Sequence, residues 1–160
     1  MILTKEIAQN KLRRMAMEIA ERNHNKRSLV LIGIKENGIV IAQIIANMLS
    51  KIFDGKINLI SLSMDKSKPT AISLSEEIDF NDANILLIDD VANSGRTMLY
   101  ALKPLLETHP AQIQTLALVE RTHKLFPIAV DYVGHSVATH TNETIIVKVE
   151  NGEVLGAELK

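Results

Sequence analysis

The 160-residue chain contains no cysteine and no tryptophan, only three phenylalanines and two tyrosines, four prolines and seven glycines. Without a thiol, a disulfide framework, a thiolate nucleophile and a Cys-ligated zinc site are excluded, and the composition suits a reducing cytoplasm. With aromatics at 3%, the core has to be aliphatic. An excess of one charge is also missing: 18 Lys and Arg stand against 19 Asp and Glu, a formal net charge of -1. The broad cationic footprint of a dedicated nucleic-acid or membrane-surface binder is therefore absent. The longest apolar-rich stretch, 39–49, is broken by Gln43 and Asn47 and is too short to span a bilayer. The opening Met-Ile-Leu-Thr-Lys-Glu turns polar before a signal-type run develops, so no targeting segment is expected. What is present is an ordinary globular composition, 46% hydrophobic and 23% charged, over a length that suits one domain, 1–160.

Thr4 is placed to cap a first helix whose apolar positions, Ile7, Ala8, Leu12, Met15, Ala16 and Ile19, recur at helical spacing. The uninterrupted run 29–32 (LVLI) reads as a strand buried on both faces, followed by a loop over 33–37 and a helix over 38–53. Asp54-Gly55 is a turn, and 57–63 alternates as a strand. Residues 64–82 are polar and read as a long exposed loop, of the kind that is usually functional or mobile. Strands are expected at 85–88, 113–119 and 144–149, with a helix at 97–106. Strands alternating with helices predict an α/β domain built on a mostly parallel sheet.

In such a sheet, ligands bind beyond the carboxyl ends of the strands. The segment after 85–88 is Asp89-Asp90-Val91-Ala92-Asn93-Ser94-Gly95-Arg96-Thr97. Its small-residue turn into a helix offers backbone N–H groups and the Ser94 and Thr97 hydroxyls to one anion. The paired carboxylates would repel a phosphate, but they accept hydrogen bonds from a vicinal diol or order a magnesium ion and its waters. An Asp-Asp pair alone also fits an ordinary strand end; the whole arrangement points to a ribose 5-phosphate. Gly33 and Gly38 have the spacing of a Walker A loop, but Ile39-Val40 stands where Lys-Ser/Thr is required, and no GxGxxG occurs. His123, His135 and His140 show no metal-ligand spacing.

Residues 85–97, ILLIDDVANSGRT, resemble the 5-phosphoribosyl 1-diphosphate (PRPP) motif of type I phosphoribosyltransferases. Residues 31–38 (LIGIKENG) resemble that family's pyrophosphate loop, and 118–134 (LVERTHKLFPIAVDYVG) its hood region. In its flanks the chain is most similar to the branch of pyrimidine-operon attenuators with uracil phosphoribosyltransferase activity. The resemblance implies a single α/β domain with a mostly parallel central sheet flanked by helices and a small hood. It implies that Asp89 and Asp90 hold the ribose 2- and 3-hydroxyls, that Asn93, Ser94, Gly95, Arg96 and Thr97 bind the 5-phosphate, and that Lys35, Glu36, Asn37 and Gly38 face the pyrophosphate. Tyr132, Val133 and Gly134 would offer backbone groups and a stacking wall to the base. Mg2+ would arrive with PRPP near Asp89 and Asp90 without direct protein ligation, and the protein would work as a cytoplasmic homodimer. The implied reaction transfers phosphoribosyl to a nucleobase, uracil first, to give the nucleoside monophosphate. The alternative is a PRPP or nucleotide sensor with little turnover that regulates pyrimidine genes, with RNA as a partner.

Departures from the family pattern are local. Segment 64–82 lacks the Tyr-Arg-Asp-Asp signature of the branch's mobile loop, leaving Asp65, Lys66, Ser67 and Lys68 as candidate diphosphate contacts. Asn93 stands where purine enzymes carry an aspartate, and an amide cannot take up a proton, which argues against a purine. Glu36-Asn37 replaces a more typical Thr-Arg pair. Ala129 and His135 replace basic residues of the attenuators beside Arg121 and Lys124, which argues against strong RNA binding.

Overall fold

The computed structural model describes residues 1–65 and 67–160. Its elements are β1 (Leu3–Thr4), α1 (Lys5–Arg22), β2 (Ser28–Ile34), α2 (Asn37–Leu49), β3 (Lys56–Met64), β4 (Ile72–Leu74), β5 (Asn84–Ala92), α3 (Arg96–Ala101), β6 (Gln112–Arg121), β7 (Tyr132–Val137), β8 (Ile145–Glu150) and β9 (Glu153–Leu159). Thr4 caps α1 as its position predicts, its hydroxyl accepting from Ile7 N at 3.3 Å. Ala8, Leu12, Met15, Ala16 and Ile19 are buried along one face of that helix, whereas Ile7 is largely exposed.

Six strands form the central sheet in the order β4-β3-β2-β5-β6-β7, all parallel except β4, which runs antiparallel to β3. The predicted α/β architecture is observed. Period-two alternation sorts the strand residues between two apolar clusters. Leu29, Leu31, Leu86 and Ile88 pack with α1 and α2, while Val30, Ile32, Ile85 and Leu87 pack with Phe80, Met98 and Leu105. The strand order reverses between β2 and β5: β2 leads outward to β3, and β5 leads the opposite way to β6 and β7. The loops leaving β2 and β5 therefore splay apart, and the crevice between them is where an open α/β sheet takes its ligand.

Three expectations are corrected here. Residues 64–82 are not a continuous loop: Ile72–Leu74 pairs with β3 in register Leu62↔Leu74, and Phe80 is buried in the second cluster. The strand expected at 144–149 does form, but in a separate antiparallel sheet of order β1-β9-β8. That sheet, and not 118–134, is the hood. Leu118 lies within β6 and Gly134 within β7, both in the central sheet. Among the described residues, no helix is long and apolar enough to cross a membrane.

Candidate functional site

Asp89 and Asp90 stand near the end of β5, where a strand with apolar side chains on both faces reaches the crevice. Asp89 is 1% exposed and Asp90 9%, so neither is an ordinary surface acid. Asp89 Oδ1 accepts from Asp90 N at 2.9 Å, and Asp90 Oδ1 accepts from Val91 N at 2.9 Å. Asp90 Oδ2 accepts from Asn37 Nδ2, also at 2.9 Å. These bonds satisfy part of each buried carboxylate and hold it in place, since a buried charge without partners would be costly. Those on Asp90 leave each of its oxygens a lone pair for a ligand.

Beyond the acids the chain turns sharply. Gly95 adopts φ +84°, a left-handed conformation that an L side chain seldom takes, and α3 begins at the next residue. The turn is braced from outside: the Leu125 and Phe126 N–H groups both donate to the Ser94 carbonyl at 3.0 Å. Inside it, the Ser94 hydroxyl accepts from Arg96 N at 3.2 Å. Helix α3 is only six residues long, shorter than the predicted 97–106. Apart from Arg96 N, which donates to the Ser94 hydroxyl, the backbone N–H groups of the first turn lack intrahelical partners and are its main offer to an anion.

Three clefts meet at this end of the sheet. One of about 240 Å³ is walled by Asp89, Asp90, the loop from Val91 to Thr97, and Ile145, Ile146 and Val147 of the hood. A second, about 480 Å³, lies between Lys35, Glu36, Asn37, Ser63, Met64 and Asp90. A third, about 570 Å³, runs from Asn93 and Ser94 to Arg121, His123 and the segment before β8. Asn37 and Asp90 are shared by the first two clefts, and Asn93 and Ser94 by the first and third. Asn93 Oδ1, Arg121 Nε and Thr139 Oγ1 are buried without a hydrogen-bond partner among the described residues.

The family profile for the phosphoribosyl transferase domain matches residues 1–151. The chain belongs to this family. This phosphoribosyltransferase is 34% identical over 154 residues to the Bifunctional protein PyrR of Limosilactobacillus fermentum, covering 89% of this chain and 86% of that protein. It is 36% identical over 163 residues to the Bifunctional protein PyrR of Clostridium kluyveri, covering 96% and 91%. Among solved structures, the hypoxanthine phosphoribosyltransferase of Trypanosoma cruzi superposes with a TM-score of 0.81 at 15% identity, covering 98% of this chain and 94% of that one. A likeness at that identity shows the fold alone. The chain is a pentosyltransferase by family.

Within this phosphoribosyltransferase, Asp89, Asp90, Asn93, Ser94, Gly95, Arg96 and Thr97 all line one cleft, and Lys35, Glu36 and Asn37 line the adjoining one. Gly38 does not face it. Gly38 is buried where α2 crosses β5, and a Cβ there would stand 2.8 Å from the Ile88 carbonyl oxygen. The role expected for Asn37 also changes, because both N–H groups of its amide are used within the protein, on Asp90 Oδ2 and on the Val147 carbonyl.

Tyr132, Val133 and Gly134 are not a base site. The Tyr132 ring is fully buried among the α1-side core residues, with the Arg22 guanidinium 4.8 Å from its centroid. Its hydroxyl donates to Gln114 Oε1 at 2.8 Å and accepts from Asn23 Nδ2 at 3.2 Å. The Val133 and Gly134 carbonyls accept from Arg14 Nη2 of α1, and a Cβ on Gly134 would meet the Leu118 oxygen at 2.3 Å. The apolar wall that does face the site, Ile145 to Val147, is absent from the sequence-based expectations, which treat it as one more sheet strand.

In segment 64–82, Asp65 accepts from Ser67 N at 2.9 Å and from the Ser67 hydroxyl at 2.7 Å, which holds its carboxyl below the usual range. Asp65, Ser67 and Lys68 line none of the three clefts, and Lys66 lies outside the described residues.

Proposed function

We propose that this phosphoribosyltransferase binds PRPP and transfers its phosphoribosyl group to a nucleobase, uracil first, releasing pyrophosphate. The observation that carries the reading is the buried Asp89–Asp90 pair at the strand-order reversal, opening into a cleft whose opposite wall is the Asn93–Thr97 loop. Asp89 and Asp90 accept the ribose 2- and 3-hydroxyls, and Ser94, Gly95, Arg96 and Thr97 seat the 5-phosphate. Lys35 faces the pyrophosphate from the adjoining cleft. The base rests against Ile145 to Val147, and the unpartnered Asn93 Oδ1 suits a ring N–H better than a phosphate oxygen.

A ring nitrogen of the base forms the new bond to the ribose anomeric carbon as the bond to the pyrophosphate oxygen breaks; the proton on that nitrogen passes to solvent. Positioning of the two reactants and neutralisation of the leaving group supply most of the acceleration. Among the described residues no group of three acids or histidines could cage a metal. The two carboxylates fit a Mg2+ ion carried on the ligand's own oxygens and waters, where it would neutralise the departing pyrophosphate. Uracil is favoured by the sequence likeness to the attenuator branch, and Asn93 in place of an acid speaks against purines.

The second reading is a sensor that binds PRPP or a nucleotide with little turnover. It is favoured by Glu36, an acid on the wall of the cleft assigned to pyrophosphate, and by an Asn37 amide already committed within the protein. Pyrophosphate release from PRPP and Mg2+ across a panel of bases, beside calorimetry of PRPP binding, separates the two. Turnover of uracil establishes the transferase; tight binding with no turnover of any base replaces it with the sensor.

A further inference from the structure

Asn37 is the first residue of α2, at the carboxyl end of β2. A side-chain amide nitrogen has two N–H groups, and here one goes to Asp90 Oδ2 at 2.9 Å and the other to the Val147 carbonyl at 3.1 Å. The amide thus joins three elements that are far apart in sequence: the start of α2, the acid near the end of β5, and β8. Strand β8 is an edge of the hood sheet, with a hydrogen-bonded strand on one side only. Edge carbonyls need partners from elsewhere, and Asn37 supplies one. At the other bond, Asp90 is pinned through both oxygens, Oδ1 by Val91 N and Oδ2 by Asn37. Its carboxylate plane is thereby fixed, while each oxygen keeps a lone pair for a ribose hydroxyl.

We infer that Asn37 is a positioning residue that sets the orientation of the Asp90 carboxylate and the seating of the hood wall together. It does not contact pyrophosphate. A single amide coordinates the acid that holds the ribose with the strand that walls the base, so displacement of either disturbs the other. The ligand's identity in this inference rests on the function proposed above; the bond between hood and acid does not.

The test compares two variants with the unaltered protein. Asn37→Asp keeps the shape, removes both donors and sets a second carboxylate against Asp90; Asn37→Ala removes the donors without adding charge. Loss of a hydrogen bond to a charged group corresponds to roughly a tenfold change. The PRPP Kd, by calorimetry with Mg2+, and the KM for PRPP should therefore rise about tenfold in Asn37→Ala and further in Asn37→Asp, with kcat falling less than KM rises. In the ligand-free protein, amide hydrogen exchange over 145–150 should quicken several-fold in both variants while that over 28–34 is unchanged. An isosteric Asn37→Asp that binds PRPP as well as or better than Asn37→Ala would show that only the volume of the side chain matters and would overturn the inference. So would unchanged exchange over 145–150. If the unaltered protein binds no PRPP, the proposed function fails, and the exchange measurement alone decides whether Asn37 holds the hood to Asp90.

Discussion

The loops that leave β2 and β5 start from adjacent parallel strands, run toward helices and have glycine in or beside them, yet they are built for different work. In the β5 loop, glycine provides conformation: Gly95 sits at φ +84°, and the contacts a Cβ would make there begin only at 3.3 Å. Around the β2 loop, glycine provides proximity. A Cβ at Gly33 would fall 2.6 Å from Ile39 Cα, and one at Gly38 would fall 2.8 Å from the Ile88 oxygen, so these residues let α2 lie directly on the sheet. The polar groups differ in the same way. The β2 loop uses its Asn37 amide to build the site, whereas the β5 loop is held from outside by Leu125 and Phe126 and turns its own polar groups to the cleft. A phosphate cradle needs donors along the cleft wall, and the second loop places Ser94, Gly95, Arg96 and Thr97 there.

The largest effect expected of this contrast is on the acids that divide the two loops. Asp89→Asn with Asp90→Asn keeps a carbonyl oxygen at each position for the Asp90 and Val91 N–H groups, so the fold survives, while the Asp90 oxygen that accepts from Asn37 gives way to an amide nitrogen. The ribose loses two charge-assisted acceptors, each worth roughly 1.5–3 kcal/mol, so PRPP affinity should fall at least about a hundredfold by calorimetry. An unchanged Kd in a folded double variant would refute the assignment of the ribose.

Alanine at the two kinds of glycine comes next. Gly38→Ala forces a methyl onto the backbone of Ile88 and within 3.2 Å of Asp89 Cα, neither of which can move aside alone. Overpacking of this kind costs about 1–3 kcal/mol, and it should weaken PRPP binding as well by displacing Asp89. Gly95→Ala meets the Ile128 side chain and the Phe126 carbonyl only at 3.3 Å, so its cost is mainly the left-handed φ, about 1–2 kcal/mol. Chemical denaturation should rank Gly38→Ala as the more destabilised, and the opposite order would break the contrast between proximity and conformation.

The legible parts of the molecule were those whose signal is local. Runs such as 29–32 and 85–88 mark strands buried on both faces without reference to anything else, and 89–97 carries its chemistry in consecutive residues. The hood was misplaced because its pairing is distant: β1 joins β9 across the length of the chain, in register Leu3↔Ala157. One local signal for it was present. Asn151-Gly152, at φ +50° and +76°, is the turn pair of a tight hairpin, and it identifies Ile145–Glu150 as an antiparallel strand instead of a sixth parallel one. No local signal could have shown where Asn37 donates, since its two acceptors lie 53 and 110 residues away. For Tyr132 the family resemblance implied a ligand wall, whereas burial against Arg22, Asn23 and Gln114 comes from packing between β7, the α1 end and β6, which no local signal reports.

Tyr132 also gives the smallest effect and fixes the boundary of the site. If the two loops and the β8 wall make up the whole of it, Tyr132→Phe leaves the PRPP Kd and the kinetics with any accepted base unchanged. It should cost about 1 kcal/mol of stability, because the hydroxyl bonded to Gln114 Oε1 and Asn23 Nδ2 is lost from a buried network. Burial holds the Tyr132 phenol above its ordinary value near 10. Above about pH 10 the unfolded chain releases that proton while the folded protein retains it, so stability is fully present below pH 10 and declines as pH rises toward the folded value. Denaturation measured from pH 8 to 11 should therefore show a steeper alkaline loss in the unaltered protein than in Tyr132→Phe, with the two curves converging as pH rises. A variant that matches this stability profile but loses affinity for the base would return Tyr132 to the site and break the separation drawn between it and the two loops.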